Sequence, residues 1–169
     1  HDALPILVAL VAIGLAWPGL TGGSKRSLEP IEHQSKTVTL VIDFGDESGR
    51  PVESFDLTSI KGDAKGWGLF SAAGLDVLGT DQFPTGFVCR IEGWPGVESQ
   101  DCADTPTFSE GHWAYYVTNT KLGSGWILSG QGAAMHEPEC AGYEGWSWVK
   151  GNEDAQAPRF KPTHRECHK

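Results

Sequence analysis

The chain has 169 residues, with 13 lysines and arginines against 22 aspartates and glutamates, which gives a formal net charge of −9. This length leaves room for one modest domain once any segment outside the fold is set aside. The acidic balance argues against nucleic acid and anionic lipid as partners, because phosphate binding relies on lysine and arginine.

The first predicted element is an apolar segment from Ala3 to Thr21 that contains no charged residue. As a helix it would be about 28 Å long, close to the ~30 Å hydrocarbon core of a bilayer. A signal sequence is the alternative, but its apolar core usually spans only about 7 to 15 residues. We therefore predict a single transmembrane anchor over residues 1–23. Its small residues would allow close packing against another membrane helix: Ala9, Ala12, Gly14 and Ala16.

Two features of the sequence give opposite predictions for the side of the membrane on which the domain lies. Lys25 and Arg26 follow the apolar segment, and the positive-inside rule alone would place the domain in the cytoplasm. The cysteines favour the other side, because an even number in a small domain of exported type is typical of disulfides. We predict a single-pass protein of the cell membrane with an extracytoplasmic domain, an orientation that a basic flank upstream of His1 would reconcile with the rule.

The four cysteines are predicted to form two pairs. Cys89 and Cys102 bracket a turn segment that contains glycine and proline, across which a local bridge is easily drawn. Cys140 and Cys167 would then join the C-terminal tail to the body of the domain. Each bridge typically contributes about 2 to 4 kcal/mol to stability, mainly by restricting the unfolded chain.

The part after the anchor is predicted to be a β-rich α+β domain over residues 37–151. A polar linker precedes it at residues 24–36, and an irregular C-terminal strap follows at residues 152–169. Its size, roughly 130 residues, lets a single core bury about two thirds of the surface of the unfolded chain. The domain is therefore expected to fold alone.

The alternation of apolar residues in residues 36–44 predicts a first strand with one well-buried face. Residues 52–57 predict a weaker second strand. Residues 63–75 predict a short helix, with Asp63 placed to cap it and with glycines that weaken it. Further strands, each bounded by glycine, proline, asparagine or serine, are predicted at residues 87–93, 112–119, 125–130 and 144–149.

Most of the tryptophans and all the tyrosines lie in or beside these predicted strands. Aromatic residues bury a large area, so core packing is the simpler explanation for their number. A ligand cleft is the alternative, because ligand sites are apolar and aromatic with few polar contacts. The candidates for such a surface are Trp67, Trp94, Trp113, Tyr115, Trp126 and Trp146.

The order of short motifs along residues 38–160 resembles the transcobalamin-like C-terminal domain family. These motifs are VTLVIDFGD, FVCRIEGWPG with a second cysteine at Cys102, DTP, HWAYYV, GQGA, EGWSWV and APRF. More narrowly, the chain resembles a group of small exported actinobacterial proteins of that family. The resemblance implies a sheet with a helix on one face and a β-hairpin beside it, and it implies no catalytic residues. In the larger vitamin carriers of the family, this domain helps to enclose a corrinoid.

No motif for catalysis is found, since the sequence lacks a Gly-x-Ser-x-Gly elbow, a Ser-x-x-Lys pair, a phosphate loop and a dinucleotide fingerprint. We predict no catalytic residue and no cofactor. A zinc site is the chemical alternative, because residues 136–140 and 164–168 each combine histidine with cysteine. If Cys140 and Cys167 form a disulfide, neither can be a thiolate ligand, and we therefore predict no metal.

Two functions follow from these features. The first is a non-catalytic accessory subunit of a larger integral membrane complex, contacted through the N-terminal helix and the outer domain. A respiratory cytochrome supercomplex is the expected host. The second is a binding module for a corrinoid or another flat hydrophobic ligand, which it would deliver to a permease.

Overall fold

The computed structural model describes residues 35–119 and 125–167. The predicted anchor, with Ala9, Ala12, Gly14 and Ala16, and all but the last two residues of the predicted linker lie outside these ranges. Among the described residues, no helix combines the length and the apolar character that crossing a membrane requires.

Five strands form the main sheet, and a separate pair of strands, one short α-helix and one turn of 3-10 helix at Asp46–Ser48 complete the regular structure of the described residues. The sheet has the order β2-β1-β7-β5-β6, in which β1 and β7 are parallel and the other neighbours are antiparallel. The predicted small β-rich domain with a sheet, a hairpin and one short helix is confirmed. The bounds are Lys36–Asp43 for β1, Glu53–Ile60 for β2, Gly68–Ala73 for α1, Val77–Gly79 for β3, Val88–Ile91 for β4, His112–Thr118 for β5, Trp126–Leu128 for β6 and Tyr143–Val149 for β7.

The helix α1 is shorter than the sequence predicted. It begins after Trp67, which makes no side-chain capping hydrogen bond, so Asp63 is not its cap. It ends at Gly74, whose φ of 71° lies in the left-handed region that glycine adopts at low cost. The strand β3 was not predicted, because three residues are too few to show an alternating pattern.

One face of the sheet carries the main core. The side chains that alternate along β1 pack there against Leu69 and Phe70 of α1, all of them with no exposed surface. Strand β4 adds Val88 and Ile91 to the same cluster. The residues of β1 in this core are Val38, Leu40 and Ile42, with Phe44 directly after the strand.

The second face of the sheet is buried as well, which corrects the prediction of a single buried face for β1. The C-terminal segment crosses it without regular secondary structure and takes the place of a second layer. The indole N–H of Trp126 donates to the carbonyl of Phe160 at 2.8 Å, and the hydroxyls of Tyr143 and Thr163 lie 3.0 Å apart. Gly145 permits this approach, because a Cβ there would lie 2.8 Å from the ring of Trp126.

Two disulfides cross-link the domain. Cys89 is bonded to Cys102, and Cys140 is bonded to Cys167. These are the two pairs that the sequence predicts. The first closes the segment after β4, and the second holds the end of the C-terminal segment against the start of β7. Two disulfides in a domain of this size fit an exported, extracellular type of protein.

Candidate functional site

Strand β5 is paired with β7 along one edge and with β6 along only part of its other edge. On its inner side it pairs with β7 from His112 to Val117. On its outer side it pairs with β6 over three residues, 116–118. The backbone N–H of Ser129 donates to the carbonyl of Tyr115 at 2.9 Å, directly after β6 ends. Among the described residues, no strand pairs with the outer edge of β5 from His112 to Ala114.

The chain leaves this edge through a local turn. The Ser129 hydroxyl donates to the carbonyl of Gln131 at 2.7 Å and accepts from the N–H of Gln131 at 3.2 Å. Such a hydroxyl-to-backbone turn competes with a continued strand. The chain then runs towards α1, where the N–H of Trp67 donates to the carbonyl of Ala133 at 3.0 Å. The outer edge of β5 is therefore left open beyond Tyr115.

A groove of about 340 Å³ lies at this open edge. Its lining comes from residues 86–88, residues 112–115 and residues 128–133, together with Trp146 and Ala155. No lysine, arginine, aspartate or glutamate is among the lining residues. Burial lowers the pKa of His112, which lines the groove, so its imidazole is neutral at neutral pH. The groove is a mainly uncharged site built on a strand edge.

Three of the six predicted aromatic residues line this groove, namely Trp113, Tyr115 and Trp146. Their rings are already packed, since each residue is at most 8% exposed. Tyr115 stacks on Trp146 with 4.7 Å between ring centroids, and Trp113 meets Phe44 edge-on at 5.6 Å. They form the floor of the groove rather than free faces on which a flat ligand could stack.

The other three candidates lie elsewhere. Trp67 packs edge-on against Phe70 of the helix, and Trp94 packs edge-on against Trp148. Trp126 lies on the second face of the sheet, where it contacts Tyr143 and the C-terminal segment. The structure thus divides the predicted aromatic set into a group of three at the groove and three residues used in packing.

Both tryptophans at the groove have an unsatisfied donor. The indole N–H groups of Trp113 and Trp146 are buried and have no acceptor among the described residues. An unmade hydrogen bond of a buried polar group typically costs about 1 to 3 kcal/mol. Trp94 and Trp148, which do not line the groove, also have buried indole donors without an acceptor, so this feature belongs to the aromatic core.

A buried carboxylate, Glu144 of β7, lies near the groove. It is 2% exposed and accepts hydrogen bonds from the hydroxyl of Tyr115 and, at 3.2 Å, from Nε2 of His136. Gly66 closes over the cluster, because a Cβ at that position would collide with the Tyr115 hydroxyl. The Lys36 ammonium donates to the carbonyl of Gly62 at 2.7 Å on the same side. The carboxylate is therefore covered by neighbouring residues of the same domain.

The pKa values of Glu144, His136 and Tyr115 in this cluster are all raised. Burial raises the pKa of Glu144, although the hydrogen bonds from His136 and Tyr115 oppose that effect. The hydrogen bond to Glu144 raises the pKa of His136, and burial raises the pKa of the Tyr115 hydroxyl, which stays protonated. A group whose pKa is raised on folding binds more protons in the native state, so stability falls as pH rises.

Replacing Glu144 with glutamine should remove this dependence on pH. In the wild type, the contribution of His136 is present below its ordinary pKa of 6.5 and is lost as pH rises through its higher folded value. The raised pKa of Glu144 acts with the same sign from its ordinary value of 4.5 upward. We expect the melting temperature of Glu144→Gln relative to wild type to rise as pH increases above about 5, by about 4 °C for each 1 kcal/mol.

The matched control for this experiment is Glu137→Gln. Glu137 lies in the same loop as His136, but it is exposed and pairs with Lys65 at 2.5 Å. The hydrogen bond from Lys65 lowers its pKa, so its titration falls below the pH window. Thermal melts should show parallel pH profiles for wild type and Glu137→Gln. An equal pH profile for Glu144→Gln and wild type would contradict the assignment.

Three residues of the zinc alternative are engaged in other bonds. Cys140 and Cys167 form a disulfide, and His136 bonds to Glu144. In the ranges that the structure describes, no group of three histidine, cysteine, aspartate or glutamate residues is placed to hold a metal ion.

Sequence reasoning missed two parts of this region. The groove walls at residues 86–88 and 128–133 come mainly from loops. Only the serine and the glycines directly after β6 indicated that the chain leaves the sheet there. The buried carboxylate had a clearer signal. Glu144 alternates with Trp146 and Trp148 along β7, so an apolar face contains one acidic residue, which indicates a buried and hydrogen-bonded carboxylate.

Comparisons with protein-family models, with curated proteins and with solved structures found no match to this chain. The resemblance to the transcobalamin-like C-terminal domain family stays a prediction from the motifs. The groove and the chemistry of its lining are the features from which a function can be inferred.

Proposed function

We propose that this chain is a non-catalytic, extracytoplasmic interaction domain that binds a partner protein in the groove along β5. The observation that carries the proposal is the outer edge of β5, which has no strand partner from His112 to Ala114 in the part of the chain that the structure describes and which opens into a groove of about 340 Å³. An unpaired strand edge presents main-chain donors and acceptors that another chain can use.

The arrangement of titratable groups supports a binding role rather than catalysis. A general acid or base must reach the proton that it transfers. The carboxylate of Glu144 is directed to Tyr115 and His136 and is covered by Gly66. The groove itself is lined by no acidic residue and by a histidine whose pKa is lowered by burial. These groups hold the loop 132–140 on the sheet.

The remaining parts of the proposal concern location. The two disulfides support export, and the apolar segment from Ala3 to Thr21 supports a membrane anchor. Together they suggest a single-pass subunit that presents the groove to a larger membrane complex outside the cytoplasm. A respiratory cytochrome assembly is the host we propose, and the motif resemblance to an exported family agrees with this location.

Site-directed photocrosslinking tests the proposed function in the membranes of cells that express the full chain. A photoreactive amino acid replaces His112, in the groove, or Val97, which is 75% exposed and does not line it. We expect one discrete adduct from position 112 and none of that mass from position 97. The adduct is identified by mass spectrometry, and its partner is purified for a direct measurement of the dissociation constant.

A groove-filling variant and a matched control complete the test. At Gly132, which lines the groove, an added Cβ would meet only the carbonyl of Gly86, at an ordinary 3.7 Å. At Gly125, a Cβ would meet nothing within 4 Å. Gly132→Leu should weaken binding of the purified partner by about tenfold or more, and Gly125→Leu should not change it. Equal affinities, or the same adducts from both crosslinking positions, would exclude the groove as the binding site.

A second candidate function is a module for a corrinoid or another flat hydrophobic ligand. The observation that favours it is the presence of Trp113, Tyr115 and Trp146 at one groove. Titration of the full chain with a corrinoid, followed by tryptophan fluorescence, separates the two functions. Saturable quenching that Gly132→Leu abolishes would support the ligand module, and no saturable signal at micromolar ligand would favour the protein partner.

A further inference from the structure

The two edges of the main sheet differ in how they meet solvent. Strand β2, at one edge, carries charged side chains that pair with arginines, Glu53 with Arg50 at 3.2 Å and Asp56 with Arg165 at 2.9 Å. Charges and irregular backbone at an edge prevent another strand from adding to it. Ser59 of β2, with a φ of 61°, provides such an irregularity. This edge is protected.

The unpaired part of β5 at the other side has none of these devices. Its sequence from His112 to Ala114 is HWA, without lysine, proline or a charged side chain. The burial of His112 lowers its pKa, so it supplies no charge at neutral pH. Since β6 is only three residues long and pairs with residues 116–118, the edge of β5 from His112 to Ala114 has no strand partner among the described residues.

The direction of the backbone at this edge follows from one hydrogen bond. The carbonyl of Tyr115 accepts from the N–H of Ser129, so the main-chain groups of Tyr115 point outward, away from β7. Residues of an antiparallel strand alternate between its two neighbours. The N–H and carbonyl of Trp113 therefore point outward too, while those of Ala114 point to its partner Ser147 in β7. From His112 to Ala114 this open edge measures about 7 Å.

We infer that the occupant of the groove is an extended, basic peptide segment of the partner protein, which adds to the outer edge of β5 as a further strand. This inference rests on the proposed function and names the partner chemistry of the same site. The peptide bonds to the main-chain N–H and carbonyl of Trp113 and continues the sheet beyond the end of β6.

Charge determines which extended segment fits. The groove lining carries no charged side chain, but exposed acidic residues lie close in sequence to the lining residues His112 and Ala155. They are Glu110, Glu153 and Asp154. With a net charge of −9 for the whole chain, these residues favour a peptide that combines small apolar side chains with lysine or arginine.

Hydrogen exchange measured by NMR on the full chain tests this mode of binding. The probe is a blocked hexapeptide of alternating lysine and valine. We expect a saturating amount of it to slow exchange of the Trp113 amide by about tenfold or more. Ala114 is the internal reference, because its amide is directed to β7. The same peptide with N-methyl groups at alternate residues should give no protection, and a glutamate-valine peptide should bind more weakly at low salt.

The outcomes separate this inference from the proposed function. If Gly132→Leu prevents protection by the lysine-valine peptide and Gly125→Leu does not, strand addition at the groove is supported. If the crosslinked partner binds the groove but neither the probe nor that partner protects Trp113, strand addition is wrong and the proposed function stands. Protection of Trp113 that grows with protein concentration in the absence of peptide would identify a second copy of the chain as the occupant and overturn the inference. Melting curves confirm that each variant is folded.

Discussion

Replacing Arg159 with methionine is expected to lower the free energy of unfolding at neutral pH by about 3 kcal/mol, because it leaves the buried charge of Asp43 unpaired. The Asp43 side chain is 2% exposed. Its carboxylate accepts from Nε of Arg159 at 2.9 Å, from Nη2 at 2.6 Å and from the backbone N–H of Arg159 at 2.8 Å. Arg159 is itself 48% exposed and lines an open pocket with Asp43, so water can approach the carboxylate once the guanidinium is removed, and the expected loss is at the lower end of the range for a broken buried pair.

The loss should depend on pH in a defined direction. Burial raises the pKa of Asp43, but the hydrogen bonds from Arg159 and Gly45 outweigh it and hold that pKa below the ordinary value of 3.8. A lowered pKa contributes stability that is present above the unfolded pKa and lost as pH falls through the folded one. Denaturant unfolding should therefore show the largest difference near neutral pH and a smaller one below about pH 4.

Two further variants distinguish a lost charge pair from lost packing. Asp43→Asn in the Arg159→Met background removes the buried charge and should recover part of the stability. Lys150→Met removes an exposed ion pair with Glu47, at 2.6 Å, and should change the unfolding curve little. If the double variant were no more stable than Arg159→Met, the buried charge would not be the cause of the loss.

The strands that carry the sheet could be predicted from the sequence because their patterns reflect burial directly. In β1, Val38, Leu40 and Ile42 alternate towards the core, and the structure places all three there with no exposed surface. Strands β5 and β7 were found from aromatic and β-branched residues between glycines. These patterns are local, so tertiary contacts did not override them.

The layer that covers the second face could not be predicted in the same way. Residues 152–167 have no periodicity, and they pack through single contacts, such as the ion pair of Arg159 with Asp43 and the contact of Phe160 with Tyr143. Arg159 and Asp43 are 116 residues apart, and partners at such a separation leave no local pattern. Asp43, at the end of an apolar strand, gave no indication of the arginine that it binds.

The candidate site was predicted only in its aromatic part. Trp113, Tyr115 and Trp146 were among the residues selected, because strands β5 and β7 bring alternate side chains to one face. The opening at the edge of β5 depends on where β6 stops, and that is fixed by the turn at Ser129 and by the contact of Ala133 with Trp67. The opening therefore depends on contacts between separate segments of the chain, which no local sequence pattern predicts.

Replacing Phe70 with alanine is expected to lower the free energy of unfolding by about 4 kcal/mol. Phe70 has no exposed surface and packs between Trp67 and Trp146, with ring centroids 5.8 Å and 5.4 Å away. The helix α1 has only six residues and depends on this contact, since an isolated helix of that length is not stable in water. Chemical unfolding followed by far-ultraviolet circular dichroism measures the loss.

Phe70→Leu is the control, because a substitution that nearly conserves the volume of a core side chain usually costs less than about 1.5 kcal/mol. A loss for Phe70→Ala no larger than that of Phe70→Leu would mean that the core closes around the cavity. The ring of Trp146 would then have to move, and this ring also lines the groove at β5. The stability of α1 and the shape of the groove are linked through this one side chain, so a core that adapts at Phe70 would also alter the groove and change its affinity for a partner.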